Sequence, residues 1–193
     1  VGGANQGHEQ MTAIMNFLDE IVEHKRRHIQ RSKLAVALSE MRDKGFARRA
    51  NAQPFALSAA IKAQAHQYAI IAEFKRASPS KGSIRQQADP GETAEIFEHN
   101  GAAAISVLTE EDYFRGSLND LKLAKAAVSI PVLRKDFIVD EYQVFETAAA
   151  GADALLIIVA ALDDRELLSL RRLAEEELKM DALVEVHTVD EMK

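Results

Sequence analysis

Apolar residues before position 70 recur at helical spacing. From Met11 to about Lys33 they alternate with charges that cover the opposite face, which predicts an amphipathic helix. We expect Leu34–Met41 to continue this helix or to begin a second one that stops near Gly45. A further short helix is predicted over Phe55–Ala65. No pattern in this part of the chain indicates catalysis.

After position 70, short apolar runs alternate with helical patterns. Five runs of strand length occur, at Ile70–Phe74, Ala103–Leu108, Val132–Phe137, Ala154–Val159 and Ala182–Val186. Four helices are predicted between them, over Thr93–Asn100, Ser117–Val128, Glu141–Ala150 and Asp163–Leu178. Helix starts are signalled by Asp89-Pro90 and Asp163-Asp164. Runs that are apolar on both faces, including Ile70 and Ile71 of the first, belong in a core and favour a parallel sheet covered by helices.

Repeated strand–helix units predict an α/β fold, either an open doubly wound sheet or a (β/α)8 barrel. The first strand is not followed by G-x-G-x-x-G, and the sequence contains no G-x-x-x-x-G-K-[ST]. The usual dinucleotide and phosphate-loop motifs are therefore absent, and the barrel is the better interpretation.

Composition narrows the function classes. The 193 residues carry a net charge of -6, which disfavours nucleic acid as a partner, and the lack of cysteine excludes disulfides and thiolate chemistry. No apolar run approaches the ~20 residues of a membrane span. The Gly-, Asn- and Gln-rich start lacks the order of a signal peptide, so we expect a cytoplasmic protein. The predicted division is a disordered leader or expression remnant (1–10), a helical extension (11–66) and a partial barrel (67–193).

Charged residues stand at the ends of the first, third and fifth strands, where barrel active sites lie. Because strand side chains alternate between faces, Lys75, Lys135 and Glu185 can meet at the mouth of one barrel, with Glu73 a layer beneath. Close lysines and glutamates perturb one another's pKa and can supply an acid and a base. From the residues alone, a catalytic cluster and a structural ion-pair network are both open.

Other candidate chemistry is weaker. The six histidines lack metal-ligand spacing, so no metal site is predicted. Ser78 and Ser80 have no evident base partner, which disfavours a serine nucleophile. Tyr113 and Phe114 follow the second strand and could either pack on the helices or line a pocket for a flat ligand.

Several segments together resemble the indole-3-glycerol phosphate synthase family, (β/α)8-barrel lyases of tryptophan biosynthesis. IIAEFKRASPSKGSI (70–84) is similar to the family's first strand and loop, and VLTEEDYFRGS (107–117) to its second. Pro131–Ala154 and LVEVHT (183–188) resemble its third and fifth strands, and LDEIVEHKRR (18–27) its N-terminal extension. The resemblance covers nearly everything from Asn16 onward.

The resemblance implies ring closure, decarboxylation and dehydration of 1-(2-carboxyphenylamino)-1-deoxyribulose 5-phosphate, without metal or organic cofactor. By this resemblance Lys135 is the general acid of ring closure, and Glu185 acts in the dehydration. Lys75 meets the carboxylate of the substrate, and Glu73 supports both lysines. By the same resemblance, Ser78 and Pro79 match substrate-binding positions on the substrate loop, and Phe114 and Phe137 match positions in the anthranilate pocket.

A whole barrel typically needs ~250 residues, and only five strands are found here. We therefore expect an incomplete barrel covering about strands one to five, with weak or no turnover. Its exposed edge at the fifth strand would invite self-association. Two alternatives remain: a non-catalytic, self-associating partial barrel, and another phosphosugar barrel enzyme such as phosphoribosylanthranilate isomerase.

Overall fold

A computed structural model of the chain describes residues 3–64, 68–79, 82–84 and 87–192. The helices within these ranges are α1 (Gly3–Ala35), α2 (Leu38–Arg49), α3 (Ala56–Ala63), α4 (Pro90–His99), α5 (Leu118–Ala127), α6 (Glu141–Ala150) and α7 (Asp164–Arg172). The strands are β1 (Ile71–Phe74), β2 (Ala77–Ser78), β3 (Gly82–Ser83), β4 (Ala104–Leu108), β5 (Val132–Lys135), β6 (Ala154–Ile158) and β7 (Asp181–Glu185). None of the described helices is both long and apolar enough to cross a membrane.

The five longer strands form one sheet in the order β1-β4-β5-β6-β7, and every neighbouring pair is parallel. Helices α4 to α7 provide the crossover connections that parallel neighbours require. This arrangement confirms the α/β class and agrees with the first five strands of a barrel. The short strands β2 and β3 form a separate antiparallel hairpin directly after β1.

Local sequence signals explain where the crossover helices begin. The Asp89 side chain accepts a hydrogen bond from the Glu92 amide at 2.8 Å, with Pro90 in the first turn of α4. Asp163 and Glu166 form a reciprocal capping box at the start of α7. Both predicted starts are confirmed. Helix α7 ends at Arg172, earlier than predicted, because the chain continues into a π-helical segment.

The predicted helix stop at Gly45 is wrong, because this glycine lies inside α2. Helix α6 passes so close that a Cβ on residue 45 would stand 3.1 Å from the Phe145 carbonyl oxygen. Next to it, the rings of Phe46 and Phe145 pack with centroids 5.8 Å apart. The glycine therefore allows α2 to approach α6 and does not form a turn.

The edge strands are more exposed than their apolar sequences predicted. Ile70 is 58% exposed, so its assignment to the core is wrong, whereas Ile71 is partly buried and packs against a core cluster that includes Leu133. On the opposite edge, Leu183 and Val184 are each 39% exposed. Strands β4 and β6, which have a neighbour on both sides, are buried throughout. Within the described chain, β1 and β7 each have a parallel neighbour on one side only, which explains the difference.

Strand register sets which residues share the inner face of the sheet. Lys135 of β5 lies opposite Leu108 of β4, and Glu185 of β7 lies opposite Ile158 of β6. Opposed residues on neighbouring strands point to the same face. The charged side chains of β5 and β7 therefore share that face with apolar side chains of the strands beside them.

The first leading helix begins at Gly3, inside the segment for which the sequence predicts a leader. Helix α3 is anchored to the sheet by its first turn, where the amides of Leu57 and Ser58 donate to the Asp181 carboxylate at 2.9 and 3.2 Å. A carboxylate at this position also interacts favourably with the helix dipole. The predicted domain boundaries stay a prediction.

Candidate active site

A cavity of about 280 Å³ opens at the carboxyl ends of the parallel strands. Its ionisable lining residues are Glu73, Lys75, Lys135, Asp136, Glu185 and His187. Its apolar base is formed by Leu108, Leu156 and Ile158. All four residues that the sequence singled out as a charged cluster thus line one cavity. A mixed charged and apolar lining can bind a molecule that has both an aromatic and an ionic part.

Glu73 holds two ammonium groups at the centre of this cavity. Lys75 Nζ donates to Glu73 Oε1 at 2.7 Å, and Lys135 Nζ donates to Oε2 at 3.0 Å. Burial alone would raise the pKa of Glu73, but the hydrogen bonds and charges of both lysines outweigh it and lower the pKa below its ordinary value. Glu73 is therefore a carboxylate at neutral pH and holds both lysine side chains in place.

Glu185 stands on the other side of the same cavity, at the end of β7. His187 Nε2 lies 3.1 Å from Glu185 Oε1, and the Glu185 side chain is 36% exposed. The carboxylate therefore combines contact with solvent and a neighbouring imidazole that can carry a proton. This is a suitable setting for a group that exchanges protons.

Two aromatic rings form one wall of the cavity. Phe114 and Phe137 have ring centroids 6.3 Å apart and planes tilted by 40°. Tyr113 instead packs edge-on against Phe17 of α1, with ring centroids 5.4 Å apart. Of the two interpretations left open by the sequence, packing on a helix therefore applies to Tyr113 and lining a pocket applies to Phe114. The Tyr113 hydroxyl also donates to Glu20 at 3.2 Å.

Helix α1 contributes to the cavity, although its sequence gave no sign of a functional role. Phe17, Leu18 and Ile21 lie among the lining residues. Their helical spacing identified an apolar face but could not show what that face covers. The residues that α1 brings to the cavity are apolar, so the prediction that this region shows no catalytic pattern is not contradicted.

The two predicted residues of the substrate loop lie apart from the cavity. Ser78 is buried in β2, Pro79 is exposed in the turn that follows, and neither is among the described residues that line the cavity. Ser80 lies outside the described residues. Arg76 anchors the base of this hairpin through two hydrogen bonds to the Asp120 carboxylate, at 2.9 and 3.1 Å.

A buried ionic network lies behind the aromatic wall and was not predicted. Lys25 of α1 places its ammonium 3.0 Å from Asp136 Oδ1 and 3.5 Å from Glu110 Oε1. Arg134 donates to Asp136 Oδ2 at 2.9 Å. Burial would raise the pKa of Asp136, but Arg134 and Lys25 outweigh it and lower that pKa. In the sequence Lys25 precedes Arg134 and Asp136 by more than a hundred positions, so spacing could not link them.

In the described ranges, no group of three or more histidine, aspartate or glutamate side chains is arranged to hold a metal ion. Lysine is a proton donor and a cation but a poor metal ligand in its protonated form.

Comparison with known proteins gives a consistent result. The family model for indole-3-glycerol phosphate synthase matches residues 18–193. A protein of that name from Carboxydothermus hydrogenoformans is 44% identical over 179 residues, covering 92% of this chain and 67% of its own length. The corresponding protein of Mycolicibacterium vanbaalenii is 51% identical, covering 90% of this chain and 62% of its own length. That of Leifsonia xyli is 58% identical, covering 67% of this chain and 50% of its own length.

This chain spans roughly half to two thirds of the length of these curated relatives. The family match covers the leading helices from residue 18, the parallel sheet, and every residue that lines the cavity except Phe17. The chain belongs to the indole-3-glycerol phosphate synthase family.

Proposed function

We propose that the cavity binds 1-(2-carboxyphenylamino)-1-deoxyribulose 5-phosphate and carries out its conversion to indole-3-glycerol phosphate, with release of carbon dioxide and water. The observation that carries this proposal is the pair of ammonium groups on one carboxylate beside an aromatic wall. The family of the chain supports the same reaction.

Lys135 is the proposed general acid of ring closure. The ring carbon that bears the carboxylate attacks the substrate's keto carbon, and the keto oxygen needs a proton as its bond order falls. The Lys135 ammonium projects from the end of β5 into the cavity, with its side chain 38% exposed and one hydrogen bond to Glu73. It can therefore reach a bound carbonyl, and a donor placed in this way contributes about 10²–10⁴-fold to the rate.

Lys75 is the proposed partner of the substrate's carboxylate. Its ammonium is held by Glu73 and is partly exposed to the cavity. Phe114 and Phe137 would contact the attached aromatic ring. Once the ring closes, the positively charged nitrogen accepts the electrons of the breaking carbon–carbon bond, so carbon dioxide leaves without another electron acceptor.

Glu185 is the proposed base of the final dehydration. It removes a proton from the new ring while an acid protonates the departing hydroxyl group. Its place at the end of β7, across the cavity from Lys135, supports this division of roles. Ser78 and Pro79 stay predicted substrate contacts, and a cytoplasmic location stays a prediction.

The test is to replace Lys135 by methionine, which keeps the length of the side chain but removes its proton. Product formation by the chain and the variant is followed by the fluorescence of the indole ring. We expect at least a 100-fold loss of rate in Lys135→Met, in line with the usual contribution of a general acid. Lys122→Met is the matched control, because Lys122 is exposed on α5. Where the unaltered chain gives measurable product, an equal rate for Lys135→Met would refute the role of Lys135, whereas no product from either would agree with the expected weak or absent turnover.

We also propose that the chain self-associates through its sheet edges. An unpaired edge presents free backbone donors and acceptors to another strand. On β7 the apolar side chains of Leu183 and Val184 are more than a third exposed, and Val186 beyond it is 37% exposed. This proposal concerns assembly and is independent of the reaction.

A further inference from the structure

Lys25 is a buried lysine on a helix that precedes the sheet. The residue is only 5% exposed, and its ammonium contacts two carboxylates that are themselves almost fully buried, Asp136 and Glu110. Ionised groups so far from water are costly unless they are paired. The ion pairs therefore require these three side chains to keep their relative positions.

Each of the two carboxylates extends the contact to one aromatic residue of the cavity wall. Glu110 Oε2 accepts hydrogen bonds from the backbone amides of Tyr113 at 2.7 Å and Phe114 at 3.2 Å. Asp136 Oδ1, the oxygen next to the Lys25 ammonium, accepts from the amide of Phe137 at 2.8 Å. Two continuous chains of polar contacts thus run from one ammonium to the backbone amides of Phe114 and Phe137.

The two carboxylates depend on Lys25 to different degrees. Asp136 has a second cationic partner in Arg134 and accepts a further hydrogen bond from Thr109 at 2.7 Å. For Glu110, the only cation in contact within the described ranges is Lys25. Without that ammonium, Glu110 would be a buried carboxyl group with no cationic partner in the described ranges, and only the two loop amides would hold it in position.

We infer that Lys25 is a positioning residue that sets the separation of Phe114 and Phe137, and through it the affinity of the site for an aromatic acid. The inference rests on the proposed function, in which these two rings contact the anthranilate part of the substrate. Lys25 itself is not among the residues that line the cavity, so it acts through Glu110 and Asp136.

The test compares Lys25→Met with the unaltered chain. Anthranilate binding is measured by fluorescence titration, and the amide signals of Phe114 and Phe137 are followed by NMR. We expect displaced amide signals for both residues and about tenfold weaker binding of anthranilate. Arg26→Met is the matched control, because Arg26 is the next residue on α1 and its ion pair is with Glu166 on α7, at 2.9 Å. It should leave both amide signals and the affinity unchanged.

The double variant Lys25→Met with Glu110→Gln makes the test specific. The glutamine oxygen can still accept from the Phe114 amide and needs no counterion, whereas Asp136 still lacks its lysine. We expect the Phe114 signal to return to its original position while the Phe137 signal stays displaced. If Lys25→Met does not fold, this double variant decides the question by the same two signals.

Three results distinguish a failure of the positioning role of Lys25 from a failure of the proposed function. A folded Lys25→Met whose two amide signals and anthranilate affinity are unchanged would overturn the inference. So would a double variant in which the Phe114 and Phe137 signals are displaced alike. If the unaltered chain binds no anthranilate, the proposed function fails, and the amide signals still test the positioning role of Lys25.

Discussion

Single carboxyl groups hold together the polar parts of this molecule. Glu73 joins Lys75, which directly follows β1, to Lys135 of β5, and Asp136 joins Arg134 of β5 to Lys25 of helix α1. Both have a pKa lowered by their cationic partners despite burial. The protonation of these two groups is therefore linked to the stability of the fold.

We expect the free energy of unfolding to decrease in acid. The ordinary pKa values are 4.5 for a glutamate and 3.8 for an aspartate, and both groups titrate lower in the folded chain. Below those values the unfolded chain binds protons that the folded chain does not, so stability is lost as the pH falls. Urea unfolding at several pH values between about 3 and 7 measures this effect.

A variant links this pH dependence to one residue. Asp136→Asn cannot titrate, so its unfolding free energy should be lower at neutral pH but should depend less on pH in the acid range. A pH dependence as steep as that of the unaltered chain would show that other groups are responsible. Glu95→Gln, an exposed carboxyl on α4, is the control and should change neither quantity noticeably.

Packing of α2 against α6 depends on the absence of a side chain at one position. We expect Gly45→Val to lower the free energy of unfolding by about 1–3 kcal/mol, because the added methyl groups meet the backbone of Phe145. Ala47→Val on an exposed position of the same helix should cost only a few tenths of a kcal/mol, as expected from helix propensity alone. Urea unfolding of the two variants tests this, and equal losses would contradict the packing argument.

Elements with strong local signals could be predicted from the sequence. The starts of α4 and α7 follow from Asp89 and Asp163, and the central strands follow from their length and apolar composition. The role of Gly45 could not be predicted, because a glycine near a helix end looks the same whether it stops the helix or receives another helix. That distinction depends on Phe145, which the chain brings near only after folding.

For the candidate site, too, the residues on the strands could be predicted and the contacts between elements could not. Strand alternation was sufficient to place Glu73, Lys75 and Lys135 together, because parity is a local property of each strand. The place of Phe17 in the cavity lining and the ion pairs of Lys25 were not predicted. The sequence does not show which residues of α1 face the sheet or which part of the sheet they contact. Contacts between elements that differ in type are set by tertiary packing and leave no periodic signal.

At the scale of the whole molecule, the open edges predict self-association. We expect light scattering to give a mass larger than that of one chain, and Val184→Lys to reduce it by placing a charge at the β7 edge. Leu123→Lys, on an exposed position of α5, should leave the measured mass unchanged apart from the substitution. A chain that stays monomeric under all conditions would count against edge pairing.

The alternation of charged and apolar residues between neighbouring strands has a consequence for selectivity. Lysines and glutamates come from β1, β5 and β7, while the size of the cavity is limited by Leu108, Leu156 and Ile158 on β4 and β6. Different strands therefore supply the reactive side chains and the apolar side chains that limit the size of the cavity. Shortening Ile158 to valine would enlarge the space for a substituted aromatic ring and leave the Glu73 ion pairs in place. The range of accepted substrates can change in this way while the proton donors and acceptors stay the same.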